Sequence, residues 1–327
     1  MIIRLFRSNQ VLPIIVLVLI SIGMWLISWG LHFKVIEPNG MPLYNLVIKL
    51  AAGLPKIFLF IIGLILFTTQ AIHLNFILNK HDVFYKSSWL PALLYVVIAG
   101  LLPPFLWFSP VLIVNTILIF ALDKIFTLYK NPNASALAFD SAFLLSVASL
   151  FYLPAIIFVS LFAISILILR PFSWRDWMVG IIGFGLPFFF AFLYYFLNDD
   201  LLNFYNAVIV SGIKKTLELK HLFSYQYIYS IVWILILFVL SIFRLQTNYY
   251  KNVTKSRLIQ QLLIIFIVIG FISVIVSRDD SLYRFSILSI PISSYISYYF
   301  LSGKKMWIIE IMFWILIASW VYNYYVA

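Results

Sequence analysis

Few side chains in this sequence could do chemistry, and those few gather in three polar stretches. The first, 32–56, holds Glu37 as its only acid, followed by Pro38-Asn39-Gly40 and Met41-Pro42-Leu43-Tyr44. The second, 198–226, carries Asp199-Asp200, Lys214-Lys215, Glu218, Lys220 and His221. The third, 278–284, packs Arg278, Asp279, Asp280, Tyr283 and Arg284 into seven residues. A carboxylate that takes a proton from a hydroxyl, cations matched to phosphate oxygens and an aromatic rim together suit an anionic lipid headgroup. Glu37 is the candidate general base. Arg278, Arg284, Tyr283, Lys214 and Lys215 are the candidate phosphate ligands. Asp199, Asp200 and His221 are candidates for orienting an acceptor or holding a divalent cation, without further metal ligands to complete a shell. The same residues also have a plain reading as solvated loop acids, local ion pairs and interfacial aromatics.

The elements that must position these stretches are apolar throughout. Hydrophobic residues make up 64% of the 327 and charged residues 10%, against about a quarter charged in soluble domains. A hydrocarbon core of about 30 Å takes about 20 helical residues to cross. Eleven segments approach that length: 11–31, 57–78, 89–108, 110–128, 137–152, 154–170, 178–197, 227–243, 259–277, 285–301 and 306–325. The stretch 137–170 is too long for one crossing, and Pro154 removes a backbone donor near its midpoint, which predicts a two-helix hairpin. The expected fold is therefore all-α: a polytopic integral membrane helix bundle of about eleven spans, one transmembrane domain over 1–327. The first span follows Arg4 and Arg7 but ends in Trp25, Trp29 and His32 rather than a small-residue cleavage site, which reads as an uncleaved anchor.

The net charge of +11 sorts by side. With the N-terminus inside, fourteen Lys and Arg fall in the cytoplasmic set and eight in the opposite set, as the positive-inside rule expects. The three polar stretches then share the outer face. The basic excess reads as topology plus attraction to anionic membrane lipids, and nucleic acid is not an expected partner. Cysteine is absent, which excludes disulfides, thiolate metal sites and cysteine nucleophiles. The four histidines fall two on each side, which excludes a centre that needs all four imidazoles. Gly180-Ile-Ile-Gly183-Phe-Gly185 lies inside an apolar span with no strand before it, so close helix packing is expected rather than a phosphate loop.

The order and wording of the segments resemble the membrane-embedded C-type (GT-C) glycosyltransferases. Glu37 followed by Met41-Pro42-Leu43-Tyr44 stands where that superfamily has an outer-loop acid, a proline phrase and an interfacial helix. The runs 88–108, 139–154 and 282–294 are similar to its later spans, with Tyr283 and Arg284 in reversed order. The sequence departs from the pattern at Asn115, where an acid is frequent, and at Phe151-Tyr152, where a lysine is frequent. The resemblance implies a polyprenyl-phosphate-linked sugar as donor, Glu37 as base and no tightly bound organic cofactor. The phrases NKHDVFYKSSWLPALLYV (79–96), FYLPAIIF (151–158) and RPFSWRDW (170–177) more closely resemble a polytopic inner-membrane family of Bacteroidota. That likeness implies a bacterial inner (cytoplasmic) membrane location. A non-catalytic scaffold or assembly subunit binding an envelope protein partner is the alternative. A transporter or flippase is a third reading, disfavoured by the near absence of mid-span charge and of internal repeats.

Overall fold

A computed structural model describes residues 2–8, 10–31, 33–38, 40–205, 227–248, 252–277 and 281–326. Among the described residues, eight helices are long and apolar enough to cross a membrane: α2 (Leu12–Leu31), α4 (Lys56–Lys80), α6 (Pro110–Thr127), α7 (Ala134–Phe151), α9 (Trp174–Leu197), α11 (Ile228–Thr247), α12 (Thr254–Val276) and α14 (Met306–Val326). The architecture of the described residues is all-helical, and its long apolar helices are consistent with a multi-pass membrane protein. Short helices α1 (Ile2–Phe6), α3 (Pro42–Ala51) and α10 (Leu201–Tyr205) flank them. Among the described residues, extended pairing is confined to one isolated bridge, Val35 with Phe108.

The remaining three apolar segments are broken helices. In 90–109, α5 (Leu90–Ala99) stops at Gly100 and gives way to a 3-10 segment, Pro103–Leu106. The Pro103-Pro104 pair has no N–H to donate, so the helical ladder cannot continue. In 153–169, the 3-10 segment Leu153–Phe158 leads into α8 (Val159–Leu169), separated from α7 by extended Tyr152. The chain therefore divides into two helices there, next to Pro154. In 282–302, the 3-10 segment Leu282–Leu288 leads into α13 (Ser289–Ser302), with Pro291 in the first turn, where a missing N–H costs little.

Two of these broken segments, 90–109 and 282–302, occupy the middle of the bundle, while 153–169 keeps one side exposed at Ile156 and Leu167. Every residue of α5 is buried, and it packs on α13, which is buried along most of its length. Helices α2, α9, α11 and α14 instead keep wide apolar faces exposed, as lipid-facing helices do. Irregular backbone is tolerated at membrane depth only where protein covers it, as it does at the breaks in 100–106 and 282–288. Buried side-chain amides fill some of the polar need. Gln70 accepts from Tyr95 at 2.7 Å and donates to the Leu112 carbonyl and to Thr116, both at 2.7 Å. Asn323 donates to the Leu101 carbonyl at 3.0 Å and to Ser230 at 2.8 Å.

The two ends of the bundle differ. At the Lys80 end, the last carbonyls of α13 are capped. Arg7 donates to the Phe300 and Gly303 carbonyls, Tyr85 to Leu301 at 2.8 Å and Arg244 to Ser302 at 3.2 Å. Cations at a helix C-terminus offset the negative end of its dipole. Burial pushes the Arg7 guanidinium below its ordinary range, countered by the nearby Tyr85. Three acids at this end pair locally: Asp123 with Lys80 at 2.9 Å and His81 at 3.1 Å, Asp140 with Lys124 at 2.8 Å, and Asp176 with Arg170 at 3.6 Å. At the opposite end lie α3, the segment 33–38 and all three 3-10 segments.

Candidate functional site

The Glu37 segment is held by backbone first. Phe108 N–H donates to the Lys34 carbonyl at 3.0 Å, and Ile36 N–H donates to the Phe108 carbonyl at 2.9 Å. Tyr44, fully buried in the first turn of α3, donates its hydroxyl to the Ile36 carbonyl at 2.7 Å. Burial pushes that phenol well above its ordinary range. Pro42 at the start of α3 and Gly40, at φ +84°, set the turn between these pieces. The Lys34 ammonium sits over the Trp107 ring, 5.1 Å from its centroid. Glu37 itself is exposed and forms no ion pair with a described residue.

Arg284 is placed very differently. It is 3% exposed, on the Leu282–Leu288 segment. Its Nη1 donates to the Ser277 carbonyl at 2.9 Å, and the guanidinium lies over the Phe285 ring at 5.6 Å. Its Nε is buried with no hydrogen-bond partner. Around it, Tyr152 donates to the Ser277 hydroxyl, and Asn115 donates to the Ser286 carbonyl and hydroxyl, each at 3.3 Å. Asn115, where the glycosyltransferase pattern favours an acid, is here an amide bracing the Arg284 segment. Its Oδ1 is also buried without a partner. Tyr283 is 2% exposed. A guanidinium is a planar fork of five donors, so a single carbonyl leaves most of its capacity unused. Such a group is matched to a phosphate or carboxylate.

The Pro103–Leu106 segment connects these two parts: it packs on Leu282–Leu288 and runs directly into Trp107 and Phe108, which hold residues 34–36. The tertiary fold thus brings the Glu37 and Arg284 segments, nearly 250 residues apart in sequence, to one end of the bundle. The acid stands in solvent and the guanidinium lies beneath packed backbone. Asp199, at φ +53°, and Asp200, whose N–H donates to the Tyr195 carbonyl at 2.9 Å, close the end of α9. Lys214, Lys215, His221 and Arg278 lie outside the described residues. Among the described residues, no group of three His, Cys, Asp or Glu could hold a metal ion.

Among the described residues, apolar hollows open at two places on the bundle surface. One of about 330 Å³ lies between α3 and helices α4 and α6, and one of about 780 Å³ lies between α11 and α14. Neither is lined by Glu37 or Arg284. The sequence reads Asp123 as a loop acid or a partner for a nearby Lys or Arg, and it does pair with Lys80, but sequence reasoning missed the part of His81 in that cluster and the Gln70–Tyr95–Thr116 network. The first had a signal, since His81 directly follows Lys80 on the side where Asp123 lies. The second had none, because a lone glutamine in an apolar run does not announce its partner.

Residues 39–327 match the model of a family described as "Family of unknown function (DUF6427)". No curated protein and no solved structure matches the chain.

Proposed function

We propose, for a chain that belongs to the DUF6427 family of unknown function, a glycosyl transfer at the outer face of a bacterial inner membrane. The donor would be a polyprenyl-phosphate-linked sugar. In this reading the eight long helices and the three broken segments make eleven crossings, with the N-terminus in the cytoplasm and the Glu37 end outside. The observation that carries it is Arg284: a guanidinium buried at that end, with an unpartnered Nε. A framework with no anion to hold has no use for so costly a group.

The division of labour follows from burial. Arg284 would hold the donor phosphate from the lipid side, with Arg278, Lys214 and Lys215 as further phosphate ligands and Tyr283 beside them. Glu37, standing in water, would meet the acceptor from the aqueous side, with Asp199, Asp200 and His221 orienting it or holding a divalent cation. The acceptor hydroxyl oxygen bonds to the anomeric carbon as the bond from that carbon to the phosphate oxygen breaks. The proton passes to the Glu37 carboxylate, and polyprenyl phosphate leaves with the electron pair.

A second reading, a non-catalytic scaffold binding an envelope protein, is favoured by one observation. Glu37 is exposed and lines neither hollow, while Asp123, Asp140 and Asp176 pair locally. The test is transfer of a radiolabelled sugar from polyprenyl phosphate by membranes containing the full chain. Glu37→Gln is expected to lower the rate about 10²–10⁴-fold, the usual contribution of a general base, with expression unchanged. An unchanged rate removes Glu37 as the base, and no transfer by the parent chain from any such donor leaves the scaffold.

A further inference from the structure

The backbone leading into Glu37 is held from two directions. The Lys34 carbonyl and the Ile36 N–H both face Phe108, at 3.0 and 2.9 Å. The Ile36 carbonyl shares a peptide plane with the Glu37 N–H, and it turns away from Phe108 to the Tyr44 hydroxyl at 2.7 Å. Pairing with Phe108 therefore ends one bond short of Glu37. The direction in which the chain leaves for Glu37 is set by rotation of that last peptide plane, and the Tyr44 hydroxyl is what grips it. Beyond Glu37 come Pro38, which has no N–H to anchor, and Gly40 at φ +84°. The acid thus stands between one gripped plane and a turn.

Packing alone has no use for this hydroxyl. The Tyr44 ring is fully buried, and phenylalanine would fill the same space without a polar group to satisfy. Both grips rest on the frame of the bundle. Helix α3, with Tyr44 in its first turn, packs on α7, and Phe108 follows the Pro103–Leu106 segment that packs on the Arg284 segment. We propose, resting on the transferase reading, that Tyr44 is the positioning residue for Glu37. Its hydroxyl holds the Ile36–Glu37 peptide plane and so keeps the carboxylate where the acceptor hydroxyl meets it. Tyr44 itself touches no substrate. Displacing a catalytic group by about 1 Å is enough to cost up to about 10²-fold in rate.

Tyr44→Phe keeps the ring and removes the hydroxyl. Tyr95→Phe is the comparison, because Tyr95 is also fully buried and loses a 2.7 Å bond to Gln70, in a network that holds no residue of the segment 33–38. Two quantities are measured on the full chain. One is kcat and KM with the labelled polyprenyl-phosphate sugar that the parent chain transfers, and the other is hydrogen exchange over residues 33–38 with no donor present. Tyr44→Phe is expected to lower kcat about tenfold with KM within about twofold of the parent, and to speed exchange over 33–38 about tenfold. Tyr95→Phe is expected to leave both as they are in the parent. A Tyr44→Phe chain with the parent's kcat, or with the parent's exchange over 33–38, overturns the proposal. Equal losses of kcat in the two variants also overturn it, because a buried hydroxyl would then act through stability alone. The parent chain's own rate separates this failure from that of the transferase reading: no transfer by the parent ends both, whereas transfer by the parent and by Tyr44→Phe alike ends only the role of Tyr44.

Discussion

Arg284 concentrates the physical question at the level of single residues. Taking a guanidinium out of water costs several kcal/mol unless geometry and hydrogen bonds compensate, and one carbonyl bond with an idle Nε compensates poorly. A residue kept for stability would lower stability when removed. Arg284→Met, which keeps the volume and removes the charge, is instead expected to leave the melting temperature unchanged or raise it, while sugar transfer is lost. Thermal unfolding of purified protein alongside the transfer assay checks both, and a large drop in melting temperature would assign Arg284 to the framework. Other residues changed meaning once placed. Tyr44, read as part of a motif, is a brace for the Glu37 segment. Arg7 and Arg244, counted as topology charges, are helix caps. The sequence displayed these groups but not their partners, because each bond joins residues far apart in the chain or crosses between elements.

Among the elements, proline and glycine decide most of what differs from a simple bundle. Pro103-Pro104 and Pro154 remove donors inside apolar runs, and the chain answers with 3-10 turns at the same end. The glycine run in α9 acts in the opposite way, by allowing contact. A Cβ on Gly183 would sit 2.7 Å from the Phe139 carbonyl oxygen on α7, and one on Gly180 would sit 2.4 Å from the Phe162 ring of α8. The expected role in helix packing is what these two positions perform, while Gly185 faces open space. A side-chain ring can turn aside, but a helix carbonyl cannot. Gly183→Ala is therefore expected to cost about 1–3 kcal/mol, and Gly185→Ala close to nothing. Denaturant titration of the two variants in the same detergent compares them, and equal losses would mean that α7 and α9 do not pack this closely.

For the molecule as a whole, the count of crossings fixes where the termini lie. Eight crossings, the long helices alone, would leave both termini on one side. Eleven, with the broken segments included, place them on opposite sides. A C-terminal alkaline phosphatase fusion is expected to be active and a C-terminal green fluorescent protein fusion dark. The reverse pair of results would mean an inverted bundle, with the N-terminus outside and the Glu37 end turned inward. What the sequence determined by itself is the class of molecule and the stretches its apolar segments cover. Lipid cannot hydrogen-bond the backbone, so apolar run length and loop charge are both written residue by residue. What the tertiary structure decided is which runs break and sit at the centre, and that Arg284 is buried while Glu37 is not. Those outcomes depend on whether a neighbouring segment is present to cover a freed carbonyl or to accept a proton donor. That neighbour is supplied by packing, from residues as distant as 115 and 286.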